Sequence, residues 1–329
     1  MATQASAPTA DTISAGGPGA GMDRRMAWRS RLYRWDVKFS PFAYITPFFV
    51  LFAAFGIFPL IWTIWVSLHT VNAYDINQMK WAGFSHFVDL WHDAQFWNAL
   101  RNTIFIGIVS AVPQLMAALG IAQVLNYQMR GRTFLRATIL IPFATSVAAT
   151  TLVFTELFAR DYGMVNWLIS FFGIHHIDWV NGPLSSKLAI SVIIMWRWTG
   201  YNALIYLAAM QTIPLELYEA AAIDGASRWQ QFRRITVPGI RPAIVFTIII
   251  STIGSTQVFG EPYLFGGGQG TNLGGVSHQF ETLTLYLYDQ GWNKFQLSPA
   301  SAVAVAVLLI TLLLVVVNAL LIRLRSRRT

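Results

Sequence analysis

Glu219-Ala220-Ala221-Ala222-Ile223-Asp224-Gly225-Ala226 is a polar, small-residue stretch set between long apolar segments. It continues to Phe232, Ile235, Pro238 and Pro242. Two acids spaced by alanines and closed by a glycine carry no nucleophilic or acid–base chemistry of their own. They offer recognition. Glu219 and Asp224 are acceptors, Arg228, Arg233 and Arg234 are donors, and the alanines let a partner surface come close. Pro214 suits the first turn of a helix, and Glu216 sits well near its positive end. Leu215, Tyr218, Ala222 and Ala226 keep a three-to-four residue rhythm, so the spacing predicts a helix over 214–224. Gly225 supplies a turn. A second helix is expected from about Ser227 to Ile235, closed by Pro238 and Pro242. From the residues alone two readings stay open, a docking element for a partner and an ordinary charged hairpin.

A second set of residues lies in or near apolar segments. Arg197 is the sharpest, because an arginine at membrane depth is costly unless it faces a cavity or a partner. Three readings stand for it: a donor to a solute, a clamp between helices, or a side chain snorkelling outward. Gln114, Asn202, Gln257 and Glu261 add hydrogen-bonding groups, and Trp196, Trp198, Tyr201 and Phe259 add aromatic faces. Hydrogen bonds plus aromatic faces are how a sugar is read. The competing reading for each residue is helix–helix bonding or interfacial anchoring. Glu156, Arg160 and Asp161 read as a local ion-pair network at an outer helix end. No catalytic group and no metal site is expected, and His175 and His176 have no companion ligand set. The chain has no Walker-type phosphate loop to hydrolyse ATP itself. The glycine cluster Gly266–Thr271 with Gly274-Gly275 lacks the Lys-Ser/Thr end of such a loop and is expected to be a flexible outer turn.

The elements that position these residues follow from composition. Of 329 residues 55% are hydrophobic and only 12% charged, about half the charged share of a soluble domain. Six membrane-spanning helices are expected, at about 42–68, 102–126, 137–155, 188–212, 242–260 and 299–322. Backbone polar groups cannot stay unpaired in lipid. Pro47, Pro59, Pro113 and Pro142 lie in or near these segments, where each can kink a helix. There is no cysteine, which excludes disulfides and thiolate metal sites. Thirteen Trp and eleven Tyr suit interfacial belts.

Basic residues then orient the chain. One side holds Arg24, Arg25, Arg29, Arg31, Arg34 and Lys38, then Arg130, Arg132 and Arg136, then Arg228, Arg233, Arg234 and Arg241, then Arg323, Arg325, Arg327 and Arg328. The remaining basic residues are Lys80, Arg101, Arg160, Lys187, Arg197 and Lys294. This alternation puts both termini and the Glu219 loop in the cytoplasm, with 69–101, 156–187 and 261–298 outside. The net charge of +8 thus marks cytoplasmic loops, not a nucleic-acid surface. The expected organisation is a disordered, basic cytoplasmic tail at 1–38, a transmembrane domain at 39–325 with a cytoplasmic loop at about 211–241, and a short cytoplasmic end at 326–329. The apolar run after the basic tail is too long for a secretory signal and is expected to be a retained anchor.

The pattern Glu219-Ala220-Ala221-x2-Asp224-Gly225-Ala226, with Phe232, Ile235 and Pro238 at their spacings, resembles the cytoplasmic signature of binding-protein-dependent ABC import permeases. Leu207-Ala208-Ala209-Met210-Gln211-x2-Pro214 resembles their carbohydrate branch, related to the maltose and glycerol-phosphate permeases. So do Asp161-Tyr162-Gly163-x2-Asn166, Trp196-Arg197-Trp198-x-Gly200 and Tyr263–Gly268. The resemblance spans roughly residues 42–325. It implies an all-α membrane protein of six transmembrane helices in the type I importer arrangement, in a bacterial inner membrane. It also implies a second homologous permease, two ATP-binding subunits that hold ATP and magnesium, and an extracytoplasmic solute-binding protein. By resemblance, Glu219 and Gly225 would carry the docking and the turn, with Ala220, Ala221, Asp224 and Ala226 shaping the contact. Leu297-Ser298-Pro299-Ala300 and Gly266-Gly267-Gly268-Gln269 depart from the family pattern, which bears on the outer gate. The rival readings are an ion-coupled secondary transporter, which needs acidic groups at the midplane, and a non-transporting membrane scaffold.

Overall fold

The computed structural model describes residues 39–40, 42–72, 75–127, 130–267 and 273–326. The basic tail, part of the glycine cluster (268–272) and residues 327–329 lie outside the described residues. Two compact units divide between Trp62 and Thr63.

The first apolar run forms helix α1, Phe42–Ser67, as expected. A π-turn interrupts it at Ala53–Ile57, where the Phe58 N–H reaches back to the Ala53 carbonyl. Pro59 follows directly, and proline carries no N–H to continue the regular ladder. Stacked pairs Phe48–Phe52 and Phe58–Trp62 run along the helix in the first unit.

The second unit opens with a β-hairpin the sequence reading lacked. β1 (His69–Asn72) pairs antiparallel with β2 (Asp75–Trp81). Helix α2 (Ser85–His92) then leads into α3 (Ala94–Asn126), which is 33 residues long and starts eight residues before the expected second span. Asp93 caps α3 by accepting from the Gln95 N–H at 2.7 Å. Pro113 lies inside α3 without ending it.

The third expected span is not one helix. α4 (Arg132–Ala144) and α5 (Val147–Leu157) meet at a bend of 90°. Pro142 strips a donor from the last turn of α4, and Thr145 takes up an extended backbone with ψ 149. A short α6 (Met164–Ser170) follows. α7 (Ser185–Met210) is straight in span and half buried.

The segment carrying Glu219 folds as α8 (Leu215–Ile223) and α9 (Arg228–Gly239), which meets α10 (Arg241–Thr256) at 67°. α9 therefore runs four residues beyond its expected end. A π-turn at Phe232–Thr236 lies just before Pro238, which has no N–H to continue the ladder. Beyond α10 come the short α11 (Gly260–Phe265) and α12 (Leu283–Tyr288), then α13 (Leu297–Ser326). Among the described residues, four helices are long and apolar enough to cross a membrane alone, and the count reaches six when each bent pair is taken as one.

Close packing of α3 on α7 forms the spine. Ala118 and Ala122 of α3 meet Ala203 of α7, all fully buried, so the backbones approach through small side chains. A second cluster joins Ile106, Ile190, Ile193 and Phe158 to Val258, Phe265 and Phe280. A third packs Phe96 and Ala99 against Leu283, Tyr286 and Val303. The chain after α10 is thus tied down at Val258, Phe265, Phe280 and Leu283, which are core.

Candidate functional site

The α4–α5 bend and the break between α10 and α11 face one another across a cavity of about 820 Å³. The α4–α5 break contributes Ser146 and Val147; the α10–α11 break contributes Gln257, Val258 and Phe259. Non-helical backbone at membrane depth is tolerated where it is buried in protein or lines such a space. Here the freed groups find partners. The Thr145 hydroxyl donates to the Pro142 carbonyl at 2.6 Å. The Val258 carbonyl accepts from Thr282 at 2.8 Å and from Thr284 at 2.6 Å.

Seven of the nine residues singled out for a solute path line this cavity: Gln114 from α3, Arg197, Trp198 and Asn202 from α7, and Gln257, Phe259 and Glu261 around α11. Arg197 donates from Nη1 to Glu261 Oε1 at 2.7 Å, and both residues are buried. The arginine is therefore a clamp between α7 and α11 and a lining residue at once. Asn202 is buried and donates to the Trp198 carbonyl at 3.2 Å. Phe259 stacks on Tyr263 at 5.2 Å, and both touch Tyr288.

Trp196 and Tyr201 stand outside the cavity lining. Trp196 packs on Phe154 at 5.3 Å, and Tyr201 stacks on Phe143 at 4.6 Å behind Trp198. Two steps along a helix turn a side chain through about 200°, so Trp196 and Trp198 cannot share a face. Tyr263 and the serines at 110, 146, 251 and 255 also line the space and escaped the sequence reading. Tyr263 sits four residues after Phe259, a spacing that could have pointed to it.

The α8–α9 element is built by capping. α8 ends in a Schellman arrangement in which Gly225, at φ +79, donates to the Ala222 carbonyl at 3.1 Å and Ala226 to that of Ala221 at 2.8 Å. α9 starts with a capping box. The Ser227 N–H donates to Gln230 Oε1 at 2.7 Å, and the Gln230 N–H donates to Ser227 Oγ at 3.3 Å. Tyr218 and Thr236 bridge the two helices through their hydroxyls at 2.9 Å. Glu219, Ala220, Asp224 and Gly225 are exposed and Ala221 and Ala226 half-buried. Leu215, Leu217 and Trp229 are exposed too, and Ile223 is 87% exposed. Glu219 and Asp224 make no side-chain hydrogen bond or ion pair among the described residues.

A polar knot between the start of α3 and the 278–281 turn was not foreseen. Gln95, Asn98 and Asn102 recur on one face of α3. Gln95 Nε2 donates to both Glu281 oxygens at 3.0 Å, Asn98 and Asn102 donate to the His278 carbonyl, and Lys187 donates to Asn102 Oδ1 at 3.0 Å. Glu281 is fully buried. Burial pushes its carboxyl up to about 8, partly offset by the Gln95 hydrogen bonds. Gly274, at φ +81, makes the knot possible, since a Cβ there would lie 2.6 Å from Glu281 Cα. The Gly274-Gly275 part of the expected flexible turn is therefore tightly packed. The acidic network near residue 160 also differs from expectation. Arg160 pairs with Asp178 at 3.8 Å, and Glu156 accepts from the Tyr162 hydroxyl at 3.0 Å. The Asn181 backbone N–H holds the Asp178 carboxyl below its ordinary range.

Relatives agree with this architecture. The chain is 36% identical over 293 residues to the lactose transport system permease protein LacF of Rhizobium radiobacter, covering 88% of this chain and 94% of that protein. It is 31% identical over 247 residues to the trehalose/maltose transport system permease protein MalF of Thermococcus litoralis, covering 75% and 82%. It shares its fold with a chain in the crystal structure of a bacterial ABC transporter involved in the import of the acidic polysaccharide alginate. The TM-score is 0.74 at 24% identity, over 89% of this chain and 98% of that one. A family model described as the inner membrane component of binding-protein-dependent transport systems matches residues 104–328. With that match over most of its length, a cavity at two helix breaks and a capped helix pair, the chain belongs to the family of inner membrane components of binding-protein-dependent transport systems.

Proposed function

We propose that this chain is one pore-forming subunit of an ATP-driven importer for a sugar-like solute, gripped from the cytoplasm through α8. The observation that carries the reading is the α8–Gly225–α9 element. Its fold is fixed by internal caps, yet it leaves Leu215, Leu217, Ile223 and Glu219 turned to the surroundings. A rigid helix with an apolar, acid-tipped surface fits a groove on another protein. The partner subunits would bind ATP and magnesium and hydrolyse the nucleotide; this chain would transmit their closure. A second permease of the same kind would complete the pore, and an extracytoplasmic solute-binding protein would deliver the cargo. The names of the relatives, for lactose and for trehalose and maltose, support a carbohydrate.

In this reading the 211–241 loop and both termini face the cytoplasm, with 1–38 a tail, 39–325 the membrane domain and 326–329 the cytoplasmic end. Arg197, Asn202, Gln257, Glu261, Trp198, Phe259 and Gln114 touch the solute's path, with Trp196 and Tyr201 supporting from behind. The bent helices would also suit an ion-coupled carrier, but the acid at the cavity, Glu261, is already neutralised by Arg197.

The test is co-purification followed by uncoupling. The tagged chain drawn from native membranes in mild detergent should bring down a second permease and an ATPase. Replacing Gly225 by Val, or Glu219 by Ala, should leave that assembly intact while solute-stimulated hydrolysis no longer drives uptake. Normal coupling in both variants, or a chain that transports in liposomes without ATP, would overturn the proposal.

A further inference from the structure

We infer that the cavity is a charge filter, built for neutral hydroxylated solutes and closed to anionic ones, with the Arg197–Glu261 pair as its specificity element. The inference rests on the carbohydrate reading above and narrows it.

Among the described residues lining the cavity, Arg197 and Glu261 are the only charged ones, and they are bonded to each other at 2.7 Å. The rest of the polar lining is uncharged. Gln114, Asn202 and Gln257 present amides, and Trp198 and Tyr263 present aromatic faces. Amides and aromatic faces match hydroxyls and sugar rings, and about 820 Å³ is within the size range of small-molecule sites.

A lone arginine in this setting would act in the opposite sense. A guanidinium in a low-dielectric space is a strong, bidentate binder of carboxylate and phosphate. Glu261 occupies that function from within the protein. The Arg197 Nε has no hydrogen-bond partner among the described residues, so the bond to Glu261 is what holds the guanidinium. An acidic sugar entering the cavity would have to displace Glu261 and leave it buried and unpaired, which is strongly unfavourable. A neutral sugar pays no such cost. The placement of Glu261 on the short α11, beside the helix break, keeps the acid on α7's flank where only α7 offers a cation.

The test measures binding to the assembled complex in lipid nanodiscs by saturation-transfer NMR. The probes are three neutral disaccharides (lactose, maltose and trehalose) and one acidic disaccharide, digalacturonate. Wild type should bind at least one neutral probe and bind digalacturonate about tenfold more weakly or not at all, the factor expected for one charge-assisted bond. Glu261→Gln should raise digalacturonate affinity about tenfold. The double variant Arg197→Gln with Glu261→Gln, which buries no unpaired charge, should return to neutral preference; it also serves where the single variant fails to assemble. Digalacturonate binding equal to the neutral probes in wild type, or strong digalacturonate binding by the double variant, overturns the charge filter alone. Failure of all four probes to bind wild type overturns the carbohydrate reading and the filter with it.

Discussion

Gly200 of α7 lies flush against the Ile139 carbonyl of α4; a Cβ added at 200 would land on that oxygen. The contact sets how closely α4 can cross α7, three residues beyond Arg197. Gly200→Ala must push the two backbones apart, and overpacking of this kind costs about 1–3 kcal/mol or more. We expect a melting temperature several degrees lower in detergent and a reduced yield of monodisperse protein. An unchanged melting temperature would mean α4 shifts freely, contrary to this packing.

Asn166 is the staple of the segment between α5 and α7. Buried, it donates to the Arg160 and Ile177 carbonyls at 2.9 Å, and its Oδ1 accepts from the Ile177 N–H at 3.1 Å and the Trp179 indole at 3.0 Å. Asn166→Ala strands several of these partners, each at about 1–3 kcal/mol if left buried and unpaired. The expected result is faster proteolysis within 171–182, with insertion unaffected. Cleavage at the wild-type rate would assign the loop's order to the Trp179–Phe158 contact instead.

The polar knot around Glu281 makes stability depend on pH. The folded Glu281 carboxyl holds its proton up to about 8, against 4.5 for an ordinary glutamate, because it is buried. Between those values the folded state binds more protons than the unfolded one, so stability falls as pH rises and levels off above about 8. His278, Gln95, Asp289, Lys294 and Asp93 surround the group and tune this window. Melting curves from pH 5 to pH 9 should decline for the wild type and flatten for Glu281→Gln. A parallel decline in both would assign the pH dependence to another group.

Much of this fold was legible in residues. The long uncharged apolar runs give the crossings because lipid tolerates neither charge nor open backbone, and each local segment reports that alone. The α8 turn was legible for the same reason. Pro214, Gly225 and Ser227 act on their own neighbours. The 90° break after Pro142 was not, since proline announces a kink and its angle depends on what the helix packs against, here Gly200. Arg197 could be named from its cost in a membrane, but its partner Glu261 is 64 residues away and no spacing links them. The polar knot was hidden because Gln95, Asn98 and Asn102 look like ordinary polar residues at a helix start until the 273–282 turn folds over them.

The carbonyl of Val258 gives the most direct probe of the α10–α11 break. It lies where α10 has ended and α11 has not begun, buried beside the cavity, and two threonine hydroxyls from the start of α12 donate to it. Without them an acceptor is left unpaired next to the space a solute would cross, and the loop must move to hydrate it. Replacing both Thr282 and Thr284 by Val keeps side-chain shape while removing both donors. Thr282 also caps α12 through the Leu285 N–H at 3.4 Å, so the single Thr284→Val variant separates the cap from the carbonyl. We expect the double variant to assemble yet lose most solute uptake, Thr284→Val to lose part of it, and Thr→Ser at both positions to restore it, since serine keeps the hydroxyl. Uptake at wild-type level in the double variant would mean that water satisfies Val258 as well as the threonines do, and that the break is not held in place from α12.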